Sequence, residues 1–196
     1  MTVNLMHKII FIIFICFGVY LSKVGGYGSD EDTLPMIGTF IGYLNGIFMT
    51  SRFTGYPVAE FIIGFLSYNF GSFTTNLFVF LSLISGSTIF YLSLKNKFDI
   101  NKTILFLIFL LSNPIIFFDN LEPIDYAIAF LFFSIGVFFL KKNFLELAVI
   151  SFGICIGARI NFAPFVVLII LFSKSNYAGK NYRKILIILS SIFIGC

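Results

Sequence analysis

Two groups of residues carry chemistry that a membrane scaffold does not need. One is the acidic run Asp30-Glu31-Asp32. The other is the stretch Ser51-Arg52-Phe53-Thr54-Gly55-Tyr56-Pro57-Val58-Ala59-Glu60. Carboxylates can take a proton from a reacting hydroxyl or share a cation, and an arginine can grip an anionic group with its planar fork. Both groups lie in residues 23–73, the one long polar-punctuated stretch of a chain that is otherwise apolar. Further on, Asp119, Asn120 and Glu122 form a short polar connection, and Arg159 stands inside an apolar run.

The elements that must position these residues follow from composition. The chain is 59% hydrophobic and 11% charged, with mean hydropathy +1.02. A soluble fold of 196 residues would lack polar surface at that composition, so the sequence reads as an integral membrane protein. The net charge of +4 follows from topology rather than from an anionic partner, and nothing points to nucleic acid. Cys16, Cys155 and Cys196 lie in apolar runs without metal-ligand or redox spacing. His7 is the single histidine, which argues against a histidine-ligated zinc and a Ser-His-Asp triad. The first apolar run is short enough for a signal-peptide core, but no small-x-small cleavage site follows and more spans do. It reads as an uncleaved span.

Apolar runs fall at about 6–22, 74–94, 103–118, 124–140, 144–172 and 185–196. Lys8, Lys95, Lys97, Lys102, Lys141, Lys142, Lys174, Lys180, Arg183 and Lys184 occupy alternate connections, and Asp30, Glu31, Asp32, Glu60, Asp119 and Glu122 the others. The positive-inside rule puts the N-terminus in the cytoplasm and residues 23–73 outside. Residues 144–172 are flanked by cations on both sides, so this run must go out and return, turning near Ala158 to Pro164. Each arm of about 10–15 residues rises roughly 15–22 Å, less than the ~30 Å hydrocarbon core. The turn then lies below the outer surface, lining protein or a watery cavity, with Arg159 in that cavity. Exposed to lipid, that arginine would cost about 3 kcal/mol or more. The sequence stops inside a started span, and about ten residues cannot cross a bilayer. The expectation is a single transmembrane domain over 1–196, the N-terminal portion of a longer protein.

The 23–73 stretch reads as two amphipathic helices on the outer membrane face. The first runs from about Asp32 to Asn45 on a repeat of Leu34, Ile37, Ile41 and Leu44, with Asp32 as N-cap and Pro35 at the third helical position. The second starts at Pro57 and ends at about Asn69, before Gly71, which puts Glu60 at its positive N-terminus. The fold class is therefore all-α: a polytopic transmembrane helical bundle whose long first external loop carries interfacial helices. Asp125 and Glu146, at opposite span ends, are expected to cap helices or face water.

This arrangement resembles the integral-membrane glycosyltransferases of superfamily C, which use sugars carried on polyprenyl phosphate. Their mark is a modified Asp-x-Asp in the first external loop, which Asp30-Glu31-Asp32 matches in type, spacing and place. The block Ser51 to Glu60 is similar to a Ser-Arg-Phe-Pro-Gly-Tyr-Pro-Val-x-Glu block in bacterial and archaeal members, with Thr54 in place of a proline. Asn113-Pro114, Asn120-x-Glu122-Pro123 and Gly157-Ala158-Arg159 also look like that branch.

The resemblance implies transfer of one sugar from a polyprenyl-phosphate donor to a lipid, glycan or protein acceptor on the extracytoplasmic face of the plasma membrane. Transfer to a hydroxyl needs a carboxylate as the oxocarbenium-like centre forms. Asp30 and Asp32 are the candidate bases, with Asp30 ahead because a cap would occupy Asp32. The alternative is one cap plus solvated charges, yet capping explains one acid and not three. Glu31 counts as a substrate contact. No cofactor is certain, although a divalent cation shared by these acids is chemically possible. Arg52 and Arg159 read as a clamp on the donor phosphate, the leaving group, or else as interfacial, snorkelling arginines. Tyr56 reads as a sugar-stacking ring or a packing residue. Glu60 reads as a partner of Arg52 or the acceptor, or as a first-turn acid. Asn120 and Glu122 are outer contacts of the site or solvated polar groups. The rival from another class is a transporter or flippase for a lipid-linked saccharide, which would pass an anionic head group along the broken hairpin. A third reading is a non-catalytic membrane subunit. The gathering of acids on one side favours chemistry over translocation.

Overall fold

The structure is a computed structural model that describes residues 3–28, 33–51, 56–94, 99–173 and 181–195. These residues form α1 (Val3–Val24), α2 (Thr33–Leu44), α3 (Pro57–Leu94), α4 (Ile100–Leu111), α5 (Pro114–Asp119), α6 (Asp125–Lys141), α7 (Leu145–Ala158), a 3-10 turn (Ile160–Phe162), α8 (Ala163–Phe172) and α9 (Asn181–Gly195). No strand occurs among the described residues, so the all-α class is as expected. Helices satisfy their backbone groups internally, the one way so apolar a chain can do so without water or a closed barrel. Two of them, Leu5–Val24 and Pro57–Leu94, are long and apolar enough to cross a membrane, while Thr33–Leu44, Ile100–Leu111, Leu145–Ala158 and Ile160–Phe172 are apolar but shorter.

The helices run up and down between two ends. On α1, Gly18 faces Phe80 of α3, and four residues later the Ser22 carbonyl meets the Asn76 amide of α3 at 3.1 Å. These two helices are therefore antiparallel. The same amide reaches the Gly26 carbonyl at 2.6 Å and so satisfies the end of α1. Further down α3, Gly86 lies on the backbone of Leu131 and the Ser93 carbonyl accepts from Lys141 at 2.6 Å, which makes α6 parallel to α3. α7 returns against α6 through Gly136, which faces the Phe152 ring.

The run 144–172 is the broken hairpin that cation parity demands. Arg159, with φ −160 and ψ 111, interrupts the helix. Leu145 and Glu146 share a groove with Arg183, and the Leu171 carbonyl accepts from Lys184 at 2.5 Å. Both ends of the hairpin therefore meet the start of α9. The basic end of the bundle collects Lys141, Lys142, Arg183 and Lys184, and also Asp99. The backbone N–H of Lys102 beside the Asp99 carboxylate holds its pKa below the usual carboxylate value, and the side chain caps α4.

Other expectations divide. α2 does carry Pro35 at its third position, and α3 does start at Pro57. Gly71 breaks α3 as expected, with φ 78 and ψ 180, a conformation open in practice only to glycine. The helical direction resumes at once, however, so the interfacial segment and the following span form one kinked element. The Ser67 and Thr75 hydroxyls bridge this kink at 3.0 Å. The run 103–118 is not one helix. The Asn113 side chain accepts from the N–H groups of Ile115 and Ile116 and, with Pro114 behind it, starts the separate helix α5. The apolar repeat of α2 faces out of the bundle: Leu34 is 68% exposed, whereas Met36 is fully buried. Its inner face is Thr33, Met36 and Phe40, with Phe40 against Gly64 of α3. The chain is apolar on both sides of α2, and the face that periodicity picks is the one left exposed.

Candidate functional site

Glu60 organises the first half of the site. It lies in the opening turn of α3 with no exposed surface. Its Oε1 accepts from the Ser51 N–H at 2.8 Å, the Ser51 hydroxyl at 2.5 Å and the Tyr56 N–H at 3.3 Å. Its Oε2 accepts from the Tyr43 hydroxyl at 2.9 Å. An ionised carboxylate accepts only, so four donors around it suit its charge. Burial first, then the hydrogen bond and the charge of Glu60, push the Tyr43 phenol from its ordinary 10.0 up to about 12. Glu60 thus ties α2 and both flanks of residues 52–55 to α3. It faces protein donors rather than standing open toward a ligand.

Arg159 organises the second half. It is 7% exposed, and its Nη1 is ion-paired with Asp125 Oδ1. Its Nη2 donates to the Tyr126 hydroxyl. The guanidinium carbon lies 3.2 Å from the centre of the Tyr126 ring and 5.7 Å from that of Tyr56, within range of cation–π attraction. Asp125 therefore does not behave as expected. It has no exposed surface and caps no helix; its carboxylate is spent on Arg159. Nor is Arg159 an open cation in a cavity, because most of its charge is met inside the protein. Its Nε, also buried, has no hydrogen-bond partner among the described residues.

Between these halves lies the connection from α5 to α6. Asn120 donates to the Ile116 carbonyl at 2.8 Å, and its buried Oδ1 has no partner among the described residues. The Glu122 carboxylate packs on Gly28, and Thr33 donates to the Pro123 carbonyl at 3.4 Å. Asp30, Glu31, Asp32 and Arg52 lie outside the described residues. The residues on either side of them are anchored: Gly28 and Thr33 on the 122–123 turn, and Ser51 and Tyr56 on Glu60. One end of the bundle thus gathers Tyr56, Glu60, Asn120, Glu122 and Arg159, five of the residues that the sequence singles out. It adds Asp125, which the sequence reading assigns to capping or solvent, and Tyr126, which that reading does not single out. An arginine inside an apolar run needs an acid, and Asp125 begins the neighbouring apolar run. That pairing was available as a signal.

Among the described residues no three His, Cys, Asp or Glu side chains gather to hold a metal ion. Glu122 is the described acid that reaches the chain just before the acidic run. No family model, no curated protein and no solved structure matches this chain.

Proposed function

We propose that the chain is a membrane glycosyltransferase that takes a sugar from a polyprenyl-phosphate donor at the extracytoplasmic end of a polytopic bundle. The observation that carries this reading is the contact of three distant segments at one end: Tyr56 from the Ser51–Glu60 block, Asp125 and Tyr126 after the 119–123 turn, and Arg159 from the hairpin turn. Both chain segments that flank the acidic run pack on that same turn. The exposed apolar side chains Leu34, Ile41, Leu44 and Phe48 suit a helix seated in a membrane interface.

In this reading the acceptor hydroxyl attacks the anomeric carbon. Asp30 or Asp32 takes its proton, and the polyprenyl phosphate leaves with the bonding electron pair. Arg52 meets the charge that grows on the leaving phosphate. Arg159 contributes at most the N–H groups left over by Asp125 and Tyr126, Nε–H among them, because each of these two partners takes one donor of a terminal nitrogen. Its main work is to hold the hairpin turn against α6 and the Tyr56 ring. Glu60 holds Ser51 and Tyr56, which flank the segment containing Arg52, and in this reading it is a positioning residue. Sugar transfer from a short-chain polyprenyl-phosphate donor, assayed in detergent, tests the reading, because transport has no meaning there. Transfer that is lost in Arg52→Ala supports it. Transfer indifferent to Arg52 removes the phosphate contact from the account.

A further inference from the structure

Two buried amide oxygens lie near the acidic end of the bundle. Asn76 on α3 has no exposed surface. Its Nδ2 donates to the Ser22 carbonyl at 3.1 Å and to the Gly26 carbonyl at 2.6 Å. Its Oδ1 has no hydrogen-bond partner among the described residues. Asn120, just after α5, is 8% exposed and repeats the pattern. Its Nδ2 donates to the Ile116 carbonyl at 2.8 Å, and its buried Oδ1 has no partner among the described residues. Neither amide can be turned round, because its oxygen would then face a carbonyl oxygen.

The register of the helices brings these oxygens to one level. The rings of Phe80 on α3 and Phe117 on α5 meet edge to face with centroids 5.9 Å apart. Asn76 lies four residues before Phe80, and Asn120 three residues after Phe117. Residues so spaced share a helix face, and the steps along the axis are about 6 and 4.5 Å. α3 runs away from the acidic end and α5 toward it, so both steps lead from the ring pair in the same direction. The chain after α1 agrees with this level: Gly26 is held by Asn76, and Gly28, two residues on, lies against Glu122.

Two acceptors cut off from solvent select a guest that can donate twice, since a buried acceptor left unmet is destabilising. A metal ion would bring a full charge to two neutral oxygens beside apolar rings, which makes it the costlier guest. A water molecule carries two donors and no charge, and buried waters commonly join polar groups that protein leaves unmet. We propose that one internal water donates to both Asn76 Oδ1 and Asn120 Oδ1. Through it α3, which already holds the end of α1, also holds the 120–123 turn.

X-ray radiolysis with mass spectrometry tests this on the whole chain in detergent. Hydroxyl radicals made from a bound water attack the ring beside it before they can diffuse away. Phe80 and Phe152 are both fully buried phenylalanines, so exposure does not separate them. Phe80 should be hydroxylated several-fold faster than Phe152. Asn120→Leu removes one of the two oxygens and should bring Phe80 down to the Phe152 rate. Phe109, 80% exposed, should keep its rate in that variant, which shows that the fold is retained. Exchanging sodium for potassium, or adding a chelator, should leave the Phe80 rate unchanged. Equal rates at Phe80 and Phe152 in the wild type would overturn the proposal, and this comparison needs no variant to fold. So would a fast Phe80 rate that survives Asn120→Leu, or one that follows the cation present, which would assign the oxygens to a metal ion. None of these readouts involves sugar transfer, so the proposal stands or falls apart from the glycosyltransferase reading.

Discussion

Arg159 and Asp125 are ion-paired across the acidic end of the bundle, with side chains 8% and 0% exposed. This pair joins the hairpin turn to the start of α6. Breaking a buried pair leaves an uncompensated charge, which costs about 3–5 kcal/mol, whereas removing both partners costs much less. Arg159→Ala and Asp125→Ala should each destabilise the protein strongly, and the double variant should be more stable than either. Thermal unfolding in detergent measures this. Strict additivity of the two single losses would mean that the pair does not hold the turn. A fall in activity of Arg159→Ala therefore reports positioning as well as any phosphate contact, and the double variant separates the two.

Glu60 and Tyr43 set a pH dependence. The folded phenol ionises at about 12 against 10.0 ordinarily, so the folded state binds this proton more tightly than the unfolded state. The stability it contributes is complete below pH 10 and is lost as pH rises toward 12. The phenolate absorbance difference between wild type and Tyr43→Phe should show this late titration. In Glu60→Gln it should move back toward the ordinary value, because the hydrogen bond to the carboxylate and its charge are both gone. Glu60→Gln also turns an amide N–H toward donors, at a cost on the order of 2 kcal/mol. A Tyr43 titration unchanged by Glu60→Gln would contradict the contact.

Gly28 fixes the approach to the acidic run. Its φ of +72 lies in the left-handed region, and a Cβ there would strike the Glu122 carboxylate. Gly28→Ala should therefore cost about 1–2 kcal/mol from the backbone plus the displacement of Glu122. Adding Glu122→Ala should recover the second part and not the first. The measurement is again the unfolding midpoint. Full recovery in the double variant would show that the backbone is unstrained.

Single residues with one dominant local effect were legible in the sequence. Pro35 and Pro57 fix helix starts, Gly71 breaks a helix, and cations on both sides of 144–172 force a hairpin. Where apolar residues surround a segment, periodicity does not show which face packs on protein, and α2 buries Met36 and Phe40 while its Leu34 repeat stays exposed. The break at Asn113 was hidden by the apolar residues on either side, since a cap acts on backbone N–H groups that hydropathy does not see. The partnership of Arg159 with Asp125 spans 34 positions and depends on which helix ends meet. Charge pattern alone gave those residues separate duties.

The proposed function puts the end with Glu122 and Arg159 outside and the end with Lys142 and Lys184 in the cytoplasm. In a protein without its native cysteines, single cysteines at Ser51, Glu122 and Ile160 should react with an impermeant reagent from outside, and those at Lys142 and Lys184 only after the membrane is opened. Labelling of Lys142 but not Ser51 from outside would invert the topology and place the acidic run in the cytoplasm.

The most direct test is turnover of the acidic run. With a short-chain polyprenyl-phosphate donor in detergent, Asp30→Asn or Asp32→Asn should lower the transfer rate of the complete, active protein by at least ~10² with expression unchanged. A silent Asp32→Asn beside an inactive Asp30→Asn would identify Asp32 as the helix cap. Near-normal transfer in both single variants and in the double would contradict the account. So would a complete protein that transfers no sugar from any donor yet moves labelled lipid-linked sugar across liposomes.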